Sequence, residues 1–255
     1  MNLDAALAVA AALVAMAFAM STFERWLARR KRHEAAWTVA FVLFAVASAA
    51  LAYGAGVGWN GPAFRVFFVF GAIANVPFLA IGEIELLFGA KIGRIVTPAV
   101  SLVVAWAAGV VTMAPFTAPI PVGHLVQGSQ VFGPLPRILA GLASGLAALV
   151  VVAGALWSIM ATRRRRGSWR FVASNGLIAT GTLITGASGL FNSLLDAMGA
   201  FAVALVVGIS VIFAGFLLAT AGTGRRSAAP TGARPAAVDG AAPSLPGPTP
   251  ARAPG

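Results

Sequence analysis

Two carboxylates lie inside an otherwise apolar stretch, and they are the residues best placed to do chemistry. Glu83 and Glu85 belong to segment 64–89, in which most residues are apolar. An ionised carboxylate within a bilayer is costly unless it is neutral, paired or facing water. On a helix, side chains two residues apart point about 200° away from each other. The spacing therefore excludes a paired-carboxylate acid/base site and gives each acid a separate role.

Glu83 is the deeper of the two acids and the better functional candidate. Burial would favour its neutral form, so that it could take up and release a proton as the protein changes conformation. Ser174 and Asn175 occupy a similar depth in a later apolar segment, which predicts a hydrogen bond to Glu83 if the two segments are adjacent. In the alternative interpretation, Glu83 reaches out to the cytoplasmic interface near Lys91 and Arg94.

Glu85 lies nearer the end of the same segment, where a structural role is the simpler interpretation. Lys91 and Arg94 follow it within a few residues. We expect an ion pair between Glu85 and one of these two cations at the interface. Glu85 is therefore predicted to fix a helix end rather than to handle a ligand.

The middle of segment 64–89 carries Asn75 beside Pro77. Proline removes a backbone hydrogen bond, so a kink is expected there, and neighbouring helices must satisfy the freed carbonyl. Gly71, Asn75 and Gly82 share one helix face, and such a face lets another helix approach closely. Polar residues of this kind hold helices together more often than they line a path. The candidate transport or binding residues are Glu83, Asn75, Pro77, Asn175 and Ser174.

The opposite end of the apolar segments carries a smaller set of charges. Arg65, Arg137 and Asp196 each begin an apolar segment. We expect an ion pair that ties two helix ends together, with Asp196 also suited to a helix N-terminus. Anion recognition by the two arginines is the alternative.

The composition indicates a protein that uses a bilayer as its solvent. Of 255 residues, 59% are hydrophobic and 10% are charged, and the mean hydropathy is +0.90. A soluble domain carries about 25% charged residues. The chain has no cysteine, which excludes disulfides, thiolate nucleophiles and thiolate-held metals. Both histidines, His33 and His124, fall in predicted loops, so no metal site and no cofactor are predicted.

Seven apolar segments are long enough to span a membrane, which predicts an all-α, polytopic seven-helix bundle within residues 1–221. They are 3–22, 36–57, 64–89, 95–114, 136–161, 170–191 and 197–221. Residues 222–255 are rich in Pro, Ala and Gly and are expected to form a disordered cytoplasmic tail.

The basic residues set the predicted orientation. With seven crossings, 16 of the 18 basic residues fall on one side, and Arg65 and Arg137 alone fall on the other. The positive-inside rule then places the N-terminus outside and the C-terminus in the cytoplasm of an inner membrane. The net charge of +11 is explained by this pattern, so the expected partner is anionic lipid at the cytoplasmic face and not nucleic acid.

Two loose resemblances bear on the architecture. Aligning Trp37 with Trp169 also aligns Gly54 with Gly186, which suggests a repeat of three spans about a linker span. This 3+1+3 layout resembles sugar-efflux transporters of the SWEET type, although their Pro-Gln dipeptide is absent. Residues 37–87 also resemble an uncharacterised family of seven-span membrane proteins of actinobacteria. The shared features are Gly58-Trp59, Arg65, Gly71-Ala72 and Leu79-Ala80-Ile81-Gly82. The latter family implies no functional residue.

These patterns favour a small-molecule permease or exporter and do not favour an enzyme. The sequence shows no phosphate loop, no zinc-protease pattern and no Ser/His/Asp arrangement at matching depths. No lysine lies in the last span to hold retinal, because the two lysines are Lys31 and Lys91. The alternative is a non-transporting sensor or scaffold that binds cytoplasmic partners or anionic lipid. A mid-membrane cavity shared by both halves would favour transport, whereas a solid bundle with no polar interior would favour the alternative.

Overall fold

The computed structural model describes residues 3–120, 126–164, 169–195 and 198–227. These residues form helices joined by short connections, and one isolated antiparallel bridge joins Phe116 to Phe132. The helices are α1 (Leu3–Arg29), α2 (Arg32–Gly56), α3 (Gly61–Phe68), a π-helical segment (Val69–Ala74), α4 (Asn75–Met113), α5 (Gly128–Val131), α6 (Pro134–Arg164), α7 (Trp169–Leu195) and α8 (Met198–Ser227).

Four helical stretches within the described residues are long and apolar enough to cross a membrane. They are Leu3–Arg29, Arg32–Gly56, Gly61–Met113 and Pro134–Ala161. Shorter apolar stretches, Val172–Thr185 and Val203–Gly215, lie within α7 and α8. Large apolar side chains such as Leu102, Leu146 and Leu149 are exposed, as expected of helices whose outer faces meet lipid. The described part of the chain is therefore all-helical, and its apolar helices indicate a membrane-embedded protein.

The longest of these stretches, Gly61–Met113, is a helical hairpin. Its 53 residues would measure about 80 Å as one straight helix, well over twice the bilayer core of about 30 Å. Its two ends nevertheless meet, because the Arg65 guanidinium donates hydrogen bonds of 2.7 Å to the carbonyls of Val111 and Thr112. The reversal occurs at Gly89, whose φ of 78° and ψ of 177° interrupt the helix. We call residues 61–88 the first arm and residues 90–113 the second arm.

Glycine is required at the hairpin turn. A φ of 78° with ψ near 180° lies in a region that side chains with a Cβ rarely occupy. The first arm begins at a conventional cap, since Asn60 Oδ1 accepts a hydrogen bond of 2.8 Å from the Ala63 N–H. Pro62 occupies the first turn, where its missing N–H costs nothing. The sequence thus marks both the start of the hairpin and its turn.

Six helical segments pack as a closed ring. α1 packs on α2, α2 on the first arm, and the first arm on α6. α6 then packs on α7, α7 on α8, and α8 returns to α1. The second arm packs beside the first arm, with Val104, Ala107 and Val111 in the same apolar cluster as Phe64 and Phe68. The boundary between the two halves of the chain therefore runs between the first arm and α6, and again between α8 and α1.

An apolar cluster fills the ring near the end that carries the first basic loop. The Phe18 ring lies 4.4 Å from that of Phe41 and 4.7 Å from that of Phe213, measured between centroids. Ile209 and Ile212 of α8 and Leu79 of the first arm complete the contact. The cluster joins α1, α2 and the first arm to α8, so it spans both halves of the chain.

Several predicted features fall outside the described residues or shift slightly. α8 continues to Ser227, past the predicted boundary at residue 221, and the rest of the predicted tail is outside the described part. His124 and Asp196 are also outside it, as is the side chain of Asn175.

Candidate functional site

The middle of the first arm departs from α-helical geometry. Residues Val69–Ala74 form a π-helical segment just before Pro77, and the Asn75 N–H bonds to the Phe70 carbonyl. The Asn75 side chain turns back on its own chain, and its Oδ1 accepts the Val76 N–H at 2.7 Å. π-helical turns of this kind often occur at functional sites. Asn75 therefore caps the irregular turn rather than facing an open path.

A neighbouring helix satisfies one carbonyl of this irregular turn. The Ser144 hydroxyl of α6 donates a hydrogen bond of 2.6 Å to the Ala72 carbonyl. In a regular α-helix that carbonyl would accept the Val76 N–H, which Asn75 takes here. The carbonyl that Pro77 would leave free in an α-helix is that of Ile73, whereas the carbonyl that α6 satisfies is that of Ala72, so the predicted role of a neighbouring helix at Pro77 stays a prediction.

The small-residue face of the first arm packs against α2, as predicted. A Cβ on Gly71 would lie 3.3 Å from that of Ala47, and a Cβ on Gly82 would collide with the Trp37 indole. Both glycines therefore permit close approach of α2. Asn75, on the same face, is buried.

Glu83 is buried on another face of the first arm, against α6. Its side chain is seated over Gly154, where a Cβ would lie 2.6 Å from both Cγ and Oε1 of the glutamate. The residue is 8% exposed and, within the described part of the chain, makes no ion pair or hydrogen bond. An uncompensated charge would be costly in such a place. The geometry suits a neutral carboxylic acid that can hold one proton.

The face of α6 that meets the first arm is made of small residues. They recur every three or four positions, as Ala140, Ser144, Ala147, Gly154 and Ser158, with Val151 among them. Ala147 and Val151 pack against Ala80 of the first arm. The sequence analysis overlooked this face, although its spacing is a recognisable signal for close helix packing.

The predicted partners of Glu83 are replaced by α6. Ser174 is buried in α7, but its backbone carbonyl faces Gly215 of α8. No hydrogen bond joins Glu83 to Ser174 in the described part of the chain, and the Asn175 side chain lies outside that part. Lys91 and Arg94 are exposed and form no described ion pair with Glu83. Glu83 is therefore buried against α6 and, among the described side chains, bonds to neither Ser174 nor Lys91 nor Arg94.

Glu85 points away from Glu83, as their spacing predicts, but the predicted ion pair to Lys91 or Arg94 is wrong. Oε1 of Glu85 lies 3.3 Å from Nε of Arg32, at the start of α2. The Thr97 hydroxyl of the second arm donates a further hydrogen bond of 3.0 Å to Oε1. The physical reason is the hairpin, because the tight turn at Gly89 directs Lys91 and Arg94 outward and brings Thr97 back beside Glu85.

A third buried carboxylate at the same end was not predicted. Glu34 of α2 is 1% exposed, and its Oε1 lies 3.3 Å from Nε of Arg25 in α1. The sequence feature that could have predicted it is an acid placed just after the short basic connection between α1 and α2. Glu34 Oε2 and Glu85 Oε2 are both buried without a hydrogen-bond partner in the described residues. We call the end of the bundle formed by residues 25–34 and 85–97 the basic end.

At the other end, Arg65 is a helix cap, and it forms no ion pair with a described residue. Its Nη1 donates to the carbonyls of Val111 and Thr112, and its Nη2 donates to that of Ala114 at 2.8 Å. These carbonyls end the second arm and have no partner within their own helix. The guanidinium also lies 4.2 Å from the centroid of the Phe116 ring. Arg65 therefore locks the two arms together.

The structure describes one of the two other members of the predicted ion pair, Arg137. Arg137, near the start of α6, is exposed and makes no ion pair with a described residue. Asp196 is outside the described residues. The carbonyls at the end of the second arm accept three hydrogen bonds from the Arg65 guanidinium.

Two cavities are formed at the helix ends. A groove of about 470 Å³ at the end opposite the basic end is lined by Arg65, Phe70 and Thr112 together with neighbouring apolar residues. A groove of about 230 Å³ at the basic end is lined by Trp26, Arg32, Ala35, Ala36, Val39, Phe78, Glu85 and Thr97. Both are lined by residues of the first half of the chain, and neither is a mid-membrane cavity shared between the halves.

The chemistry open to these residues is proton and ion binding. Among the described residues, no group of three or more His, Asp or Glu side chains could hold a metal ion. Comparison of the chain with family models, with curated proteins and with solved structures finds no match.

Proposed function

We propose that the chain is a seven-span inner-membrane protein that acts as a small-molecule permease or exporter. On this proposal the two arms are separate crossings, and α1, α2, α6, α7 and α8 supply the other five. The ring of six segments with the second arm outside supports a 3+1+3 arrangement, because three segments from each half line the ring.

The observation that carries the proposal is the position of Glu83 at the boundary between the halves. Transporters built from two halves move one half against the other around a site at their interface. Glu83 on the first arm and Gly154 on α6 face each other across that boundary, and Ser144 joins α6 to the π-helical turn nearby. An acid within a membrane protein commonly belongs to a proton relay. We infer that Glu83 carries a proton as the halves separate.

Other charged groups sit at the same end as Glu83. On the first arm there is Glu85, and α2 contributes Arg32, His33 and Glu34. α1 contributes Arg25, which is paired with Glu34. Arg32 pairs with Glu85 and Arg25 with Glu34, and Glu83 forms no ion pair with a described cation.

The alternative function, a sensor or scaffold that binds cytoplasmic partners or anionic lipid, has one observation in its favour. The two described cavities lie at the helix ends, and the apolar cluster around Phe18 fills the ring. On the transport proposal, this arrangement is a closed conformation in which α8 must separate from α1 and α2. On the alternative proposal, the ring stays filled and the exposed cations of the basic end bind the partner.

The experiment compares metabolites in cells and medium for a deletion strain that carries different versions of the gene. The versions are the wild type, Glu83→Gln and the matched control Glu24→Gln, which changes an exposed acid. Each strain is grown at two external pH values. We expect the wild type and the control to restore the distribution of one metabolite class. Glu83→Gln should be expressed at the same level but should not restore that distribution.

The outcomes separate the two parts of the proposal. If deletion changes no metabolite at either pH, the chain is not a permease. If Glu83→Gln restores the distribution fully at both pH values, transport stands but proton coupling through Glu83 is wrong.

A further inference from the structure

The groove at the basic end changes in polarity along its length. Arg32, Glu85 and Thr97 line one part, and Val39 and Phe78 line another. Val39 lies about 10 Å beyond Arg32 along α2, and Phe78 lies about 10 Å from Glu85 along the first arm. Because α2 leads away from the basic end and the first arm leads toward it, both walls become apolar in the same direction.

Cations flank the polar part of this groove. The Arg32 side chain is 46% exposed, although its Nε lies 3.3 Å from Oε1 of Glu85. No hydrogen bond joins its two Nη atoms to a described residue, so they can take a bidentate acceptor. The Arg30 guanidinium lies 5.2 Å from the centroid of the Trp26 ring, which itself lines the groove. Arg32 therefore lines the groove, and Arg30 lies against a tryptophan that lines it and is of the kind found at headgroup level.

The polar part of the groove also contains a buried carboxylate oxygen that accepts no hydrogen bond from a described residue. Glu85 is 6% exposed, and its Oε2 has no hydrogen-bond partner among the described residues. A buried carboxylate oxygen in this state gains from any donor that reaches it.

We infer that this groove binds one anionic glycerophospholipid of the adjoining leaflet, through its phosphate at Arg32 and an acyl chain along Val39 and Phe78. Basic pockets between helices on the cytoplasmic side are suited to anionic headgroups. A soluble anion would use the cations but would leave the apolar half of the groove empty. The inference does not depend on transport, and it requires only that the basic end meets a bilayer leaflet.

The test uses the full-length protein in neutral detergent with phosphatidylglycerol as the probe. Native mass spectrometry measures the bound lipid, and the thermal unfolding midpoint is followed in parallel. We expect one retained phosphatidylglycerol, weaker retention of phosphatidylcholine, and no stabilisation by inorganic phosphate or glycerol phosphate. Arg32→Gln should weaken phosphatidylglycerol binding about fivefold, while the exposed matched control Arg94→Gln leaves it unchanged.

A second pair of variants tests the apolar half without touching the ion pair. Val39→Trp should fill that half and reduce retention of phosphatidylglycerol, whereas Val46→Trp, at an exposed site further along α2, should not. This pair also keeps the inference testable if Arg32→Gln fails to fold because Glu85 loses its cation.

Four results would overturn the inference. They are equal retention of phosphatidylcholine, equal stabilisation by inorganic phosphate, equal binding by Arg32→Gln and Arg94→Gln, and equal binding by Val39→Trp and Val46→Trp. None of these results bears on the metabolite test of Glu83.

Discussion

Glu83 of the first arm lies directly against Gly154 of α6, so closely that a Cβ at residue 154 would come within 2.6 Å of the glutamate. This contact joins the two halves of the chain beside an acid that has no described polar partner. The absence of a side chain at residue 154 is what allows Glu83 to lie between the helices.

Gly154→Ala should therefore destabilise the protein and displace Glu83. Overpacking of this kind typically costs about 1–3 kcal/mol. The free energy of unfolding, measured by titrating SDS into detergent micelles, reports the cost. Gly141→Ala and Gly145→Ala on the same helix are matched controls, since a Cβ at either position meets nothing within 4 Å. In the double variant Gly154→Ala with Glu83→Ala, the loss of unfolding free energy should be smaller than the sum of the losses in the two single variants. If the two losses simply add, the contact between residues 83 and 154 is contradicted.

Ser144→Ala should weaken the packing of α6 on the first arm. The substitution removes the 2.6 Å hydrogen bond to the Ala72 carbonyl. Hydrogen bonds between membrane helices contribute about 0.6 kcal/mol on average and at most about 1.7 kcal/mol. Thr112→Val is the control, because its hydroxyl bonds only to the Ala108 carbonyl of its own helix. If both substitutions lower the free energy of unfolding equally, the hydrogen bond between the helices stabilises the protein no more than the one within a single helix.

Arg65→Gln should loosen the end of the second arm. Three carbonyls lose a charged donor, and each such hydrogen bond contributes about 1.5–3 kcal/mol at most. Arg65→Lys should recover little, because a single ammonium group cannot reproduce the guanidinium fork. Hydrogen exchange of residues 106–114 measures the effect. Arg137→Gln, at an exposed site, serves as the control, and equal exchange in the two variants would rule out the cap.

Gly89→Ala should strain the hairpin turn. A residue with a Cβ in this backbone conformation costs about 1–3 kcal/mol. Gly109→Ala, in the helical part of the second arm with open space around it, should instead be neutral or slightly stabilising. Thermal unfolding in detergent compares the two. A neutral Gly89→Ala would mean that the arms do not reverse in this conformation.

Topology reporters test the seven-span proposal. Fusions at Arg30, at Arg165 and after Gly255 should report the cytoplasm, and a fusion at Gly128 should report the outside. The reason is the positive-inside distribution together with the reversal at Gly89. If Gly128 and Arg165 report the same side, the number of crossings is wrong.

The sequence determined the helices and several of their breaks. The seven predicted apolar segments overlap the described helices and differ from them at several ends, and segment 64–89 also contains the π-helical segment; the break between 64–89 and 95–114 lies beside the turn at Gly89. Hydrophobic length and turn residues act locally, so they can be read without knowing what packs beside them. The count of seven crossings and their orientation stay predictions.

The directions of the two acids were also predictable, but their partners were not. Helical periodicity alone places Glu83 and Glu85 on different faces. Which helix each face meets depends on the order of the helices around the ring, and α6 rather than α7 lies beside Glu83.

The partners of Glu85 and Arg65 were determined by the tertiary structure alone. Lys91 and Arg94 are close to Glu85 in sequence, yet the hairpin and the packing of α2 give it Thr97 and Arg32 instead. Arg65 likewise meets backbone carbonyls at the end of the second arm, and no side-chain pattern in the sequence marks these acceptors. Every backbone carbonyl is the same chemical group, so only the folded position of a helix end makes one of them a binding partner.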